Sequence, residues 1–138
     1  MLKIEKNNPT VRLNYASNGV GFATRYPIAL GKVITSLTTQ NTTPTLTQLL
    51  GGIISHASVT GAGTATLPTG TVLSGINPAV GDSFECLYAN TGGQTVTITG
   101  STGSTVVGTA AIATGLNAQL TFVNTGTNTW NVYVIVSA

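Results

Sequence analysis

Few side chains in this sequence can do chemistry, and their spacing limits what they can do. His56 is the only histidine, and it stands between Ser55 and Ala57 in a run, Ile53 to Val59, that reads as a strand. A nucleophile–histidine–acid relay needs an activated hydroxyl on one side of the ring and an orienting carboxylate on the other. Asp82 offers a carboxylate, but nothing like a nucleophile elbow accompanies it, so His56 is expected to be a structural or interface residue. Asp82 and Glu85 are the only acids after Glu5. Three apart on a strand, they face opposite ways, whereas a working acid/base pair must flank one bond across a cleft. A calcium ion asks for about six or more oxygens, several of them carboxylate. Asp82 therefore reads as a turn cap and Glu85 as a solvated side chain. Cys86, the single cysteine, alternates with Phe84 and Tyr88 and reads as a buried, inert thiol outside any disulfide framework. Gly61-Ala62-Gly63 and Gly92-Gly93 lack the Lys-Ser/Thr and the following helix of a phosphate loop. The expectation is no catalytic residue, no metal site and no cofactor: a protein that is not an enzyme.

The elements that would carry these residues are strands. An aromatic, one small or apolar residue and Asn-Thr-Gly occur twice, as Tyr88-Ala89-Asn90-Thr91-Gly92 and as Phe122-Val123-Asn124-Thr125-Gly126. Each is followed by an alternating run, Gln94 to Thr99 and Thr129 to Val136. Val96 and Ile98 oppose Thr95, Thr97 and Thr99. Trp130, Val132, Val134 and Val136 oppose Asn131, Tyr133 and Ile135. Period two marks half-buried strands, and both copies read as hairpins whose Asn and Gly supply a positive φ. Upstream, Val33 to Leu37 reads as a strand. Thr45 to Leu50 reads as one helical turn, with Thr45 as N-cap and Gly51 as the stop. Thr64 to Leu67 reads as a returning strand, and Thr71 to Ile76 fits either a strand or a short helix. Asp82 to Ala89 is a strand with Phe84, Cys86 and Tyr88 on one face. Thr105 to Thr109 and Ala118 to Val123 complete the set. Short strands with turn signals at close spacing predict an all-β fold, an antiparallel sandwich or jelly roll. Trp130, Phe122, Phe84 and Tyr88 are its expected core or oligomer-interface residues.

Charge divides the chain. Charged residues make up 6% of it, against about 25% in ordinary domains. Every basic residue, Lys3, Lys6, Arg12, Arg25 and Lys32, precedes Val33. Breakers such as Asn7-Asn8-Pro9 and Ser17-Asn18-Gly19 mark Met1–Lys32 as an extended N-terminal arm, with residues 33–138 as the body. Phe22 and Tyr26 join the cations as expected contacts of the arm. Arg12 and Arg25 interleaved with aromatics leave only a weak nucleic-acid footprint, so no nucleic-acid partner is expected. No apolar run suits a signal peptide or a membrane span. A body this poor in charge is expected to associate, as a homotrimer or another closed oligomer.

The succession Leu49-Leu50-Gly51-Gly52, Ser58-Val59-Thr60-Gly61-Ala62-Gly63-Thr64, Leu67-Pro68-Thr69-Gly70-Thr71, Val80-Gly81-Asp82-Ser83-Phe84 and Asn90-Thr91-Gly92 resembles small accessory proteins of virus and phage particles. These are head-decoration, cement and fibre-head modules. The resemblance runs from about Leu46 to Val136 and implies a structural virion protein, a decoration or cement subunit attached to the major capsid protein through its arm. The other function it implies is a receptor- or glycan-binding head of a fibre or spike.

Overall fold

The structure, a computed structural model, describes residues 31–58 and 60–137. The expected arm contacts Lys3, Lys6, Arg12, Phe22, Arg25 and Tyr26 lie outside the described residues; Lys32 lies within them and is exposed.

Alternation works out as expected at the level of single strands. The described strands are β1 (Val33–Leu37), β2 (Asn41–Thr42), β3 (Gly52–His56), β4 (Gly63–Thr66), β5 (Ser83–Asn90), β6 (Val96–Thr99), β7 (Ser104–Gly108), β8 (Ala111–Ile112), β9 (Asn117–Gly126) and β10 (Thr129–Val136). They form a larger sheet in the order β1-β3-β5-β9-β10-β7 and a smaller one in the order β2-β4-β6-β8. The fold is all-β with two mixed sheets. Ile54, Cys86, Tyr88, Leu120, Phe122, Trp130, Val132 and Val134 of the larger sheet share one core with Ala65, Val96, Ile98 and Ile112 of the smaller.

The antiparallel arrangement expected from the sequence does not hold. β1/β3, β3/β5, β2/β4, β4/β6 and β7/β10 are parallel; β5/β9, β9/β10 and β6/β8 are antiparallel. The reason lies in the path of the chain. Each pass through the larger sheet is followed by a pass through the smaller one, so β1–β2, β3–β4 and β5–β6 are three successive windings. A parallel neighbour always needs a crossover, and here strands of the opposite sheet supply it. β7 then lies at the far edge, and the β9–β10 hairpin fills the space between β5 and β7.

Among the described residues two short helices make corners. α1 (Leu46–Gly51) begins with a capping box: Gln48 N–H donates to Thr45 Oγ1 at 3.2 Å, and Thr45 N–H donates to Gln48 Oε1 at 2.8 Å. Its left-handed stop is Gly52, at φ 94°, one residue beyond the expected Gly51. α2 (Gly70–Leu73), continued by a 3₁₀ turn at Ser74–Ile76, settles the Thr71–Ile76 stretch as helical, capped by Thr69. Leu49 and Leu73 carry the two helices into the core.

The two Asn-Thr-Gly copies part ways. The second is a hairpin, β9 to β10, as expected, but it turns at Thr127-Asn128. The first is no hairpin: β5 ends at Asn90, and β6 joins the other sheet between β4 and β8. Nor do these motifs supply positive φ. The described non-glycine residues with positive φ are Asn77 and Asn128, both at 56°. Asn90 and Asn124 act through their side chains instead.

Candidate functional site

Within the described residues, each sequence-predicted residue has a definite place. His56, fully buried, has both ring nitrogens engaged: Nε2 lies 2.8 Å from the Thr39 carbonyl and Nδ1 2.8 Å from the Tyr88 hydroxyl. A carbonyl only accepts, so Nε2 donates to it. The histidine pins the loop after β1 to β5. Asp82 is exposed, and its Oδ2 accepts from Ala79 N–H at 2.8 Å, a turn cap. Glu85 is exposed on β5, with Gln119 Nε2 donating to it at 3.4 Å. Cys86 is buried, and burial pushes its thiol up to about 11, opposed by the positive charge of Lys32. Burial likewise pushes the Tyr88 hydroxyl above its ordinary range, with Cys86 adding to the effect. Among the described residues no three His, Cys, Asp or Glu side chains gather where they could hold a metal ion. No described helix is long and apolar enough to cross a membrane.

The aromatic residues expected at a core or an interface belong to the core. Trp130, Phe122 and Tyr88 are at most 1% exposed, and Phe84 packs against them from the margin. Phe84 stacks on Phe122 with centroids 4.6 Å apart, and Trp130 meets Phe84 edge-on at 5.9 Å. Trp130 Nε1 donates to Ser74 Oγ at 3.0 Å, so the indole is satisfied as well as buried.

The outer face of the larger sheet is the unusual surface. Its registers align Ile34, Ile53, Leu87, Gln119 and Ile135 in one row across β1, β3, β5, β9 and β10. The neighbouring row runs Glu85, Thr121, Tyr133, Val107. Ile34 is 66% exposed, Ile135 68%, Tyr133 40% and Val107 37%. The next rows, Ser36-Ser55-Ala89-Asn117 and Ser83-Val123-Asn131-Thr105, hold no charge, so Glu85 is the one formal charge across these four rows. Exposed apolar residues scattered singly need no explanation, but a contiguous patch marks an interaction surface.

Sequence reasoning missed this face. Leu87 alternates with Cys86 and Tyr88, and Ile135 with Val134 and Val136, so each falls opposite the inward side of its strand, and both are large and apolar. Two such residues are an available signal, but only the register shows that they continue one row. A comparison with family models, with curated proteins and with solved structures finds no match for this chain.

Proposed function

We propose that this chain is a structural assembly module, a decoration or cement subunit of a virus or phage shell with a sandwich-type body. In this reading the body forms a closed homotrimer through the outer face of its larger sheet, and Met1–Lys32 attaches it to the major capsid protein. The observation that carries the reading is that face: four rows with a single carboxylate, bounded by Ile34 and Ile135 at 66% and 68% exposure. A second copy is a suitable cover, because the face carries little charge, Glu85 with Lys32 close by, and so meets another copy with little like-charge repulsion. The partition of charge supports the attachment, since every Lys and Arg precedes Val33 and an acidic shell can attract only that segment.

The test is the solution mass at low micromolar concentration. The wild-type chain is expected to be a trimer or another closed ring, and Ile34→Lys/Ile135→Lys a folded monomer. A wild-type monomer overturns the assembly reading. Trypsin tests the attachment, because it can cut only at or before Lys32. Free protein should lose its first segment and leave a Val33–Ala138 fragment, while protein on a particle should resist. Normal occupancy of particles by the fragment would overturn the arm's role.

A further inference from the structure

Away from the sheet face, the structure holds a polar cleft of about 310 Å³ between the Ser74–Val80 segment and the β9–β10 turn. That is the small end of the range of ligand clefts, roughly 300–1,000 Å³. Its lining includes Ser74, Asn77, Val80, Asn124, Thr127 and Asn128, and among the described residues no charged side chain lines it.

Asn124 is the anomaly. It is 3% exposed, and its Nδ2 donates to the carbonyls of Gly126 at 3.0 Å and Thr129 at 3.3 Å. Two carbonyl acceptors fix the orientation of the amide, because only the NH₂ end can donate to them. The oxygen is then the atom left over. Among the described residues no donor reaches it. The counterpart Asn90 has no such surplus: its Nδ2 serves the carbonyls of Gln94 and Ile112, and its Oδ1 accepts from Gly92 N–H at 3.1 Å. A buried acceptor without a partner calls for one.

The rest of the cleft is built to a consistent chemistry. Ser74 Oγ accepts from Trp130 Nε1, which leaves its own hydrogen free to donate. Asn77 and Asn128, the described non-glycine residues with positive φ, both line the cleft and present amides with donors and acceptors. Asn128 is held from behind, where a Cβ on Gly70 or Gly103 would meet its carbonyl. Val80, 71% exposed, offers an apolar edge. Asp82 is outside the lining, and its Oδ2 is engaged by Ala79 N–H.

We propose that this cleft binds a neutral, hydroxyl-rich ring, a monosaccharide unit, with one ligand hydroxyl donating to Asn124 Oδ1. Such a ring needs donors and acceptors together with an apolar edge for its C–H face, and it needs no charge. Among the described residues, an anion would find no cation in the lining and a cation no carboxylate. The site goes beyond the assembly reading and stands independently of it.

The experiment is a titration of the isotope-labelled full chain with D-glucose, D-galactose, D-mannose and N-acetyl-D-glucosamine, each alone, followed by amide chemical shifts. At least one sugar should shift the amides of 74–81 and 124–129, with a Kd of about 1–10 mM, the weak end of the affinity scale. Asn77→Gly and Asn128→Gly keep the left-handed backbone and remove an amide. Each should weaken binding about tenfold with an unchanged melting temperature. Absence of shifts with all four sugars overturns the proposal, as do shifts confined to other residues, affinity unaltered in both variants, or equal binding of inorganic phosphate. A monomeric chain that still binds sugar would sink the assembly reading and leave this one intact.

Discussion

The two copies of Asn-Thr-Gly start from the same local chemistry and end in different architecture. At Asn90 the chain leaves the larger sheet for the smaller, and at Asn124 it turns back on itself within the larger sheet. Both asparagines are buried, at 1% and 3% exposure, and both use the side-chain amide to hold two backbone carbonyls. What differs is how far those carbonyls reach. Asn90 ties its own corner to Ile112 on β8, 22 residues away, whereas both partners of Asn124 lie within five residues. Asn90 is therefore a tertiary clamp and Asn124 a local one. The glycines differ in the same way. A Cβ on Gly92 would lie within 3.0 Å of the backbone of Ala57 and Ser58, while one on Gly126 would meet only Thr129 Oγ1, at 2.9 Å. A short motif thus specifies a hydrogen-bonding habit and leaves the connection open.

The largest expected effect is in the hairpin copy. Trp130→Ala should destabilise the chain by about 3–5 kcal/mol, since the indole is 1% exposed and the cavity left behind is large. Ile98→Ala, at an inward position of the strand that follows the first copy, should cost about 2–4 kcal/mol. Urea unfolding measures both, and an Ile98 effect larger than the Trp130 effect would reverse which copy anchors the core. Next comes Gly92→Ala, expected at about 3 kcal/mol because two stretches of backbone must separate. Gly126→Ala should stay near about 1 kcal/mol, since a threonine hydroxyl can move aside. Equal midpoints for these two variants would remove the contrast between a tertiary corner and a local turn. Asn90→Ala should follow at about 2–3 kcal/mol, leaving the buried carbonyl at Ile112 without its donor, against about 1–2 kcal/mol for Asn124→Ala.

The smallest effect is set by pH and belongs to the strand that leads into the first copy. Inward residues of β5 include Cys86 and Tyr88, whereas those of β9 are Ala118, Leu120, Phe122 and Asn124, which do not titrate. Both β5 groups have pKa values raised by burial from their ordinary 9.0 and 10.0, so the folded state favours their neutral forms. That stability is fully present below pH 9 and is lost as pH rises toward 11 and beyond. The slope approaches about 1.4 kcal/mol per pH unit for each group while only the unfolded chain has ionised. Melting temperatures from pH 8 to 11 should be flat and then fall, and Cys86→Ala should lessen the fall. A Cys86→Ala profile that tracks the wild type would show that the thiol does not set it.

Much of the secondary structure was legible because each strand carries its own instruction. In β5, β9 and β10 the alternation of Phe84, Cys86 and Tyr88, of Leu120 and Phe122, and of Trp130, Val132 and Val134 names the buried side directly. The cap at Thr45 was equally legible, because the capping box closes within four residues. Sheet membership was not. Gln94 to Thr99 reads as the second arm of a hairpin, and nothing in its residues says that Val96 will lie beside Gly63 in the other sheet.

The candidate sites were illegible for the same reason. Ile34 and Ile135 are about a hundred residues apart in the chain, and Ser74 and Asn124 about fifty. Backbone N–H and C=O groups are alike in every residue but proline, so an alternating run selects a face to bury without selecting a neighbour. The chain therefore carried its own inside and outside from the start. Which strands lie side by side, and hence which exposed side chains join into a face or a cleft, was left to the packing of a core that no single segment contains.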